Sequence, residues 1–199
     1  MFNLFVNIYQ DKNATRQAEL DFCLLQNLSN PLINTIVFNC QDRLSYSFFF
    51  DKINKISAKD DINIIANADI YFDETIQLAS SITEHQCFAL SRWDILVNGT
   101  PSFFHREDSQ DVWIFKGKIK SNLFGNFTLG FCGCDNRLAY EMKKAGYQVI
   151  NPSLSIKAYH KHSSQIRNYI MRDKRFIVPG PYMKVDPCWL GHPGKTKVC

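Results

Sequence analysis

Asp61-Ile-Asn-Ile-Ile-Ala-Asn-Ala-Asp-Ile-Tyr-Phe-Asp73 is the stretch on which the reading of this chain turns. Its first half, Ile62 to Ala66, is short, apolar and rich in β-branched residues, which suits a strand buried on both faces of a parallel sheet. Its second half changes character, because Asn67, Asp69 and Asp73 crowd the point where such a strand ends. Open α/β sheets bind ligands at the carboxyl ends of their strands, so oxygen-bearing side chains here are well placed for chemistry. If the backbone stays extended, Asn67 and Asp69 lie on one side of it. Hard divalent cations that also hold phosphates take such ligands, usually one or two carboxylates completed by water and substrate. A plain turn is the competing reading, since Asn and Asp are common turn residues.

Upstream, Phe2–Tyr9 reads as a first strand. Asn13 is placed to cap a helix over Ala14–Leu28, with Leu20, Leu24, Leu25 and Leu28 as its apolar face and Asn30-Pro31 as its stop. Ile33–Phe38 is a second strand, Asn39–Ser45 a polar loop, and Tyr46–Ile56 a second amphipathic helix through Phe49, Ile53 and Ile56. Strand, helix, strand, helix, strand is the signature of a parallel, doubly wound half-sheet. Downstream, a short helix at Glu74–Ser81 precedes a strand, Cys87–Trp93, that runs into Ser91-Arg-Trp-Asp94. Then come a polar loop (Leu96–Gln110), a strand (Asp111–Lys116), a Gly-rich segment (Phe124–Cys134) and a helix, Asn136–Ala145, stopped by Gly146. Gln148–Ile150 and Ser155–His160 close the set. Pro, Gly and Lys dominate from Pro179, so 179–199 is expected to be a tail or linker stub behind a single domain over 1–178.

At 199 residues, 45% of them hydrophobic and 14% aromatic, the chain can bury a real core. Its net charge of +4 is mild and not gathered in a run, so nucleic acid is not the expected partner. The N-terminus has no basic region and reads as a strand rather than a signal peptide, and no window approaches a transmembrane span. Seven cysteines, scattered and odd in number, fit neither a zinc site nor a disulfide framework. Asn-x-Ser/Thr sequons stand at Asn13, Asn27, Asn98 and Asn126, but without a secretory signal they imply little. A cytoplasmic, reduced protein is expected.

Four features fall in a fixed order: Asn67-Ala-Asp69 after the third strand, a Gly-rich loop ending in Gly133-Cys-Asp135, a helix opening at Asp135, and His160-Lys-His162 after a late strand. That order resembles the GT-A fold of nucleotide-sugar-dependent glycosyltransferases. The phrases Ala66-Asn-Ala-Asp-Ile-Tyr-Phe-Asp73, Ser109-Gln-Asp-Val-Trp-Ile-Phe115 and Gly133-Cys-Asp-Asn-Arg137 look like small enzymes of that group in large algal viruses and bacteria. The resemblance covers residues 2 to 170. It implies a Rossmann-like α/β domain with a mixed, mostly parallel sheet flanked by helices. It also implies a divalent cation, Mn2+ or Mg2+, on Asp69 and the His pair, with a nucleotide-sugar donor, UDP-linked by preference, and a glycan or other hydroxyl acceptor. In a viral setting the compartment would be the host cytoplasm, and the chain can equally be one domain of a longer polypeptide.

The resemblance also assigns roles. Asp135 faces the acceptor as a candidate base and Asp111 meets sugar hydroxyls; a helix cap and a solvated loop carboxylate are the plainer alternatives. Asn7, Tyr9, Arg43, Asn67, Arg92 and Trp93 are implied to meet nucleotide or sugar, with Arg92 pairing to the diphosphate. Trp113 is a second stacking candidate, packing being the alternative for at least one of the two rings. Arg167 and Lys174 lie in a basic segment able to close over phosphate. His160 and His162 alternate along a strand, so only one, His160 by preference, is expected to face the site while the other lies on the surface. Two departures matter: the first Asp of the Asp-x-Asp motif is Asn67, and the Glu of the Glu-Asp pair is Cys134. Two other classes remain open, a nucleotidyltransferase of sugar-nucleotide synthesis and a non-catalytic carbohydrate-binding domain. The first would carry a Gly-rich basic loop after the first strand, where Tyr9-Gln-Asp-Lys-Asn-Ala-Thr15 has no Gly.

Overall fold

Three parallel strands form the floor of the molecule: Phe2–Ile8 (β1) lies between Ile33–Asn39 (β2) and Ile62–Ala66 (β3). Helices Ala14–Ser29 (α1) and Tyr46–Ile56 (α2) make the two crossovers. This is a computed structural model, and it describes residues 2–164, 166 and 173–199. Both helices start as their sequences dictate. Asn13 Oδ1 accepts from the backbone N–H groups of Thr15 and Arg16 at 3.0 and 3.1 Å, and Ser45 Oγ accepts from Phe48 N at 3.3 Å.

The remaining elements are Ile70–Phe72 (β4), a 3₁₀ segment Glu74–Ser81, Gln86–Leu90 (β5), Trp93–Ile95 (β6), Pro101–Phe103 (β7) and Val112–Lys116 (β8). They are followed by helix Cys134–Lys144 (α3), Gln148–Ile150 (β9), Ala158–His160 (β10), a short 3₁₀ turn Lys174–Phe176, Met183–Val185 (β11) and Thr196–Val198 (β12). A six-stranded sheet runs β2-β1-β3-β8-β5-β9, a four-stranded one β4-β10-β6-β7, and β11-β12 pair as a ribbon. The class is mixed α/β.

The expectation of a mostly parallel sheet is corrected. Among the described strands four pairings are parallel and five antiparallel, and β8 opposes both of its neighbours in the middle of the main sheet. A parallel return needs a crossover, usually helical. Between β5 and β8 the chain supplies only the β6–β7 hairpin and a loop, so β8 comes back antiparallel.

Alternation along the strands builds a core on each face. Phe5, Ile65, Trp113 and Phe115 pack under Phe49 and Ile53 of α2 and Leu138 and Met142 of α3. Leu4, Ile64, Phe88 and Ile114 pack against Ile70 and Phe72 of β4, Ile76 and Ala158. Each such side chain contributes about 1.5–3 kcal/mol on burial. On α1 the buried face is Arg16, Glu19, Leu20, Cys23 and Asn27, while Leu25 and Leu28 are 60% and 55% exposed, so the expected leucine face does not form. Asn27, one of the sequons, is buried and grips β4: its amide donates to Ile70 O at 2.8 Å and accepts from Phe72 N at 3.2 Å.

Residues 179–199, expected as a tail, fold back onto the body, with Met183 and Val185 fully buried against the α3 side of the core. All seven cysteines are free. Among the described residues no helix is long and apolar enough to cross a membrane.

Candidate metal and nucleotide site

After Ala66 the chain does not stay extended. Ile70 N donates to Asn67 O at 3.2 Å, closing a turn over 67–70. The turn and the site are therefore one feature, and the assumption that Asn67 and Asp69 share a side of an extended strand is corrected. Asn67 Nδ2 reaches Asp111 Oδ1 at 2.8 Å, whereas Asp69 is drawn inward to α1 and β10. Asp73 leaves the cluster: it accepts from Thr75 N and from the Tyr159 hydroxyl, and so caps and anchors the 3₁₀ segment.

Asp69 is nine-tenths buried. Its Oδ2 meets Arg16 Nη2 at 2.5 Å, His160 Nε2 at 3.3 Å and His162 Nδ1 at 3.9 Å. Its Oδ1 is buried with no hydrogen-bond partner. Burial alone would raise the Asp69 pKa, but His160 and Arg16 outweigh it and hold the carboxylate far below its ordinary value. Both histidines reach Asp69, contrary to the expectation that only one could. β10 ends at His160, and Lys161 N bonds to Asp69 O at 2.9 Å, so His162 is no longer on a strand and folds in beside His160 with ring centroids 5.3 Å apart.

The two rings are prepared differently. His162 Nε2 faces the Ile166 carbonyl at 2.7 Å, which places the proton there and turns Nδ1 toward Asp69. Burial, with Arg16 close by, lowers its pKa and keeps it neutral. His160 Nδ1 faces Asp94 Oδ1 at 2.7 Å, the carboxylate–histidine pairing that orients metal ligands. Burial opposes charge on His160, yet Asp69 and Asp94 prevail and raise its pKa to about 9. Ligand atoms of Asp69, His160 and His162 all lie within 4.8 Å of one another, a spacing that suits one cation. An orphaned carboxylate oxygen with two imidazoles fits a divalent ion such as Mn2+ or Zn2+, provided His160 gives up its proton.

A second network adjoins the first. Arg92 Nε meets Asp94 Oδ1 at 2.8 Å and its Nη1 meets Asp111 Oδ2 at 3.2 Å, with the guanidinium over the Phe104 ring. Arg92 and Asp111 thus face each other as well as the pocket. Asp135, in the first turn of α3, accepts from Asn136 N at 2.9 Å and Gln110 N at 3.2 Å and does not line the pocket. Burial raises its pKa to about 7, against the two N–H groups and helped by the nearby Asp111 charge. Cys134, at the site of the absent Glu, is buried between the Tyr46 hydroxyl and Gly130 N, its thiol pushed up to about 12 by burial.

Asn7, Tyr9, Arg43, Asn67, Asp69, Arg92, Asp111, His160 and His162 are all brought to one pocket at the carboxyl ends of β1 and β3. Asn7 serves by shaping it, since its amide bonds to Cys40 and Asp42 of the loop that carries Arg43. Arg43 crosses the mouth to Gly130 O at 3.4 Å, and any side chain on Gly130 (φ 80°) would overlap its guanidinium. Trp93 stands outside the pocket: its Nε1 bonds to Ser153 O and its ring packs on Phe103. Trp113 is fully buried. Lys174 is exposed on its 3₁₀ turn, away from the pocket lining, and Arg167 lies outside the described residues. Sequence reasoning missed Arg16, Glu19 and Asp94. The available signal was the spacing 16, 19, 20, 23, 27, a helix stripe in which charged residues take core positions.

No family model matches this sequence, and no curated protein matches it either.

Proposed function

We propose that this chain is a metal-dependent glycosyltransferase of GT-A type that moves a sugar from a nucleotide donor, UDP-linked by preference, to a hydroxyl acceptor. One observation carries the reading: the buried Asp69 carboxylate, its Oδ2 beside two histidine nitrogens and its Oδ1 unpartnered, at the strand ends where α/β sheets take ligands. Asp69, His160 and His162 would hold the cation, which supplies positive charge for the departing diphosphate. Arg43 and Arg92 line the same pocket and would bind phosphate oxygens, Arg92 by exchanging part of its contact with Asp111 and Asp94. Asn67 orients Asp111 toward the pocket, where a carboxylate suits sugar hydroxyls.

Asp135 sits one step behind Asp111, and a carboxylate titrating at about 7 is matched to accepting a proton near neutral pH. The acceptor hydroxyl would lose its proton toward this pair as its oxygen attacks the anomeric carbon and the bond from that carbon to the diphosphate breaks. Thermal melting with UDP, UDP-glucose, UDP-galactose and GDP-mannose, each with and without Mn2+, tests the reading. A nucleotide at about one hundred times its Kd adds about 2.7 kcal/mol. We expect a rise with at least one nucleotide that needs Mn2+ and is lost in Asp69→Asn. No rise under any combination would sink it.

A further inference from the structure

Arg16 stands at Asp69 without a role in the transfer just described. Three contacts fix its guanidinium: Nη2 on Asp69 Oδ2 at 2.5 Å, Nη1 on Glu19 Oε2 at 3.2 Å, and Nη1 on the Lys161 carbonyl at 3.3 Å. Glu19 is itself held by Ser164, whose N and Oγ each donate at 2.7 Å. Arg16 is 5% exposed, yet it lines the same pocket as Asp69, His160 and His162. The Asp69 oxygen nearest both imidazoles therefore already carries a full cation.

A guanidinium does not shed its proton to make room for another charge. A divalent ion on Asp69, His160 and His162 would lie close to it in buried surroundings, where like charges repel far more than in water. Two things relieve that repulsion. Asp69 can turn its unpartnered Oδ1 to the ion while Oδ2 stays on Arg16. An anion spanning both cations can then neutralise them together, and a diphosphate has the charge and the reach to do so.

We propose that Arg16 makes this site hold a divalent cation poorly alone and well together with a diphosphate, so that metal and nucleotide fill it as a coupled pair. The inference rests on the metal reading above and adds a residue, and a coupling between the two ligands, to it. Coupling of this kind is reciprocal and typically amounts to roughly 5–150-fold in affinity.

Titration calorimetry of Mn2+ with and without saturating UDP tests it in the wild type, Arg16→Met and Arg16→Lys. In the wild type UDP should tighten Mn2+ on the order of 10-fold or more. Arg16→Met should bind Mn2+ alone about 10-fold more tightly than wild type, with the UDP enhancement reduced by a similar factor. Arg16→Lys keeps the charge and should stay close to wild type. If Arg16→Met binds Mn2+ no better alone, or keeps the whole enhancement, the coupling role is wrong while the metal site stands. If Mn2+ binds none of the proteins, with or without UDP, the metal reading and the coupling fall together. Arg16→Met leaves Glu19 buried without its cationic partner, held among the described residues by Ser164 alone, so circular dichroism checks the fold. Arg16→Met/Glu19→Gln, which removes both charges, carries the same expectations should the single variant fail to fold.

Discussion

His160 lies between two carboxylates, and that arrangement sets how the site answers pH. Its pKa is raised from 6.5 to about 9, so the stability it contributes is fully present below about 6.5 and is lost as pH rises through about 9. Metal-free protein should therefore lose melting temperature between about pH 7 and pH 9, and His160→Gln should flatten that slope. Mn2+ affinity should move the opposite way over the same window, because the ion must displace the His160 proton. Asp135 gives a second slope at lower pH. Its pKa is raised from 3.8 to about 7, so its contribution is present below about 3.8 and fades as pH rises through about 7. Asp135→Asn should remove that decline and raise the melting temperature near neutrality. Because Asp135 stands behind the pocket-lining Asp111 in the proposed proton path, the substitution should also lower transfer by on the order of 10²-fold or more. Wild-type transfer in Asp135→Asn would leave Asp135 a structural acid only. Asp69, His160 and Asp111 were legible because their residue types and order carry chemistry, whereas His162 was expected on the surface because the strand was taken to run through it. Arg16 was not legible, since an Arg in a first helical turn reads as solvated until the fold shows a buried carboxylate beside it.

Among the elements, α1 best shows what pattern reading can and cannot see. Its existence and its Asn13 cap follow from local rules, as do the bounds of α2 and β3. Its orientation does not. Leu20, Leu24, Leu25 and Leu28 suggest one face, but the helix turns Arg16, Glu19, Cys23 and Asn27 inward because polar partners wait there in Asp69, Ser164 and the β4 backbone. β4, β7, β11 and β12 escaped detection because three residues cannot display a period and none of the four, unlike β9 after Gly146, follows a helix stop that marks it. Asn27 links this inward face to the site, since Ile70, whose carbonyl it holds, directly follows Asp69. Asn27→Leu strips one buried acceptor and one buried donor of their partner. It should cost about 1–3 kcal/mol per group left unpaired, read as a lower urea midpoint. Because β4 then loosens next to Asp69, Mn2+ affinity should fall too. A urea midpoint equal to wild type would show that water replaces the amide at no cost.

At the scale of the whole molecule, the C-terminal stretch is the part that sequence reasoning placed wrongly in character. Pro, Gly and Lys are abundant there, and composition of that kind marks loops and linkers. Composition does not reveal that Met183 and Val185 alternate with half-buried neighbours and fill a gap left beside α3. Nor does it reveal the polar ties. Asn151 donates to Val185 O at 3.1 Å and accepts from Ser91 N at 3.1 Å, and Ser91 precedes Arg92 of the pocket. Arg137 of α3 donates to the carbonyls of Pro179 and Gly180 at 2.8 and 2.9 Å. The hairpin therefore completes the core and also steadies the strand end that presents Arg92. Met183→Ala should cost about 2–5 kcal/mol, the range for emptying a fully buried site of this size, with the nucleotide affinity of the folded fraction nearly intact. Removing 181–199 should do more, because it opens the core and leaves the buried Asn151 amide without its carbonyl partner. We expect a lower chemical-denaturation midpoint, and nucleotide binding weakened beyond what the folded fraction explains. If the truncated chain unfolds at the wild-type midpoint and binds Mn2+ and UDP as well as the full chain, the hairpin is an appendage and the link through Asn151 and Ser91 to Arg92 carries nothing.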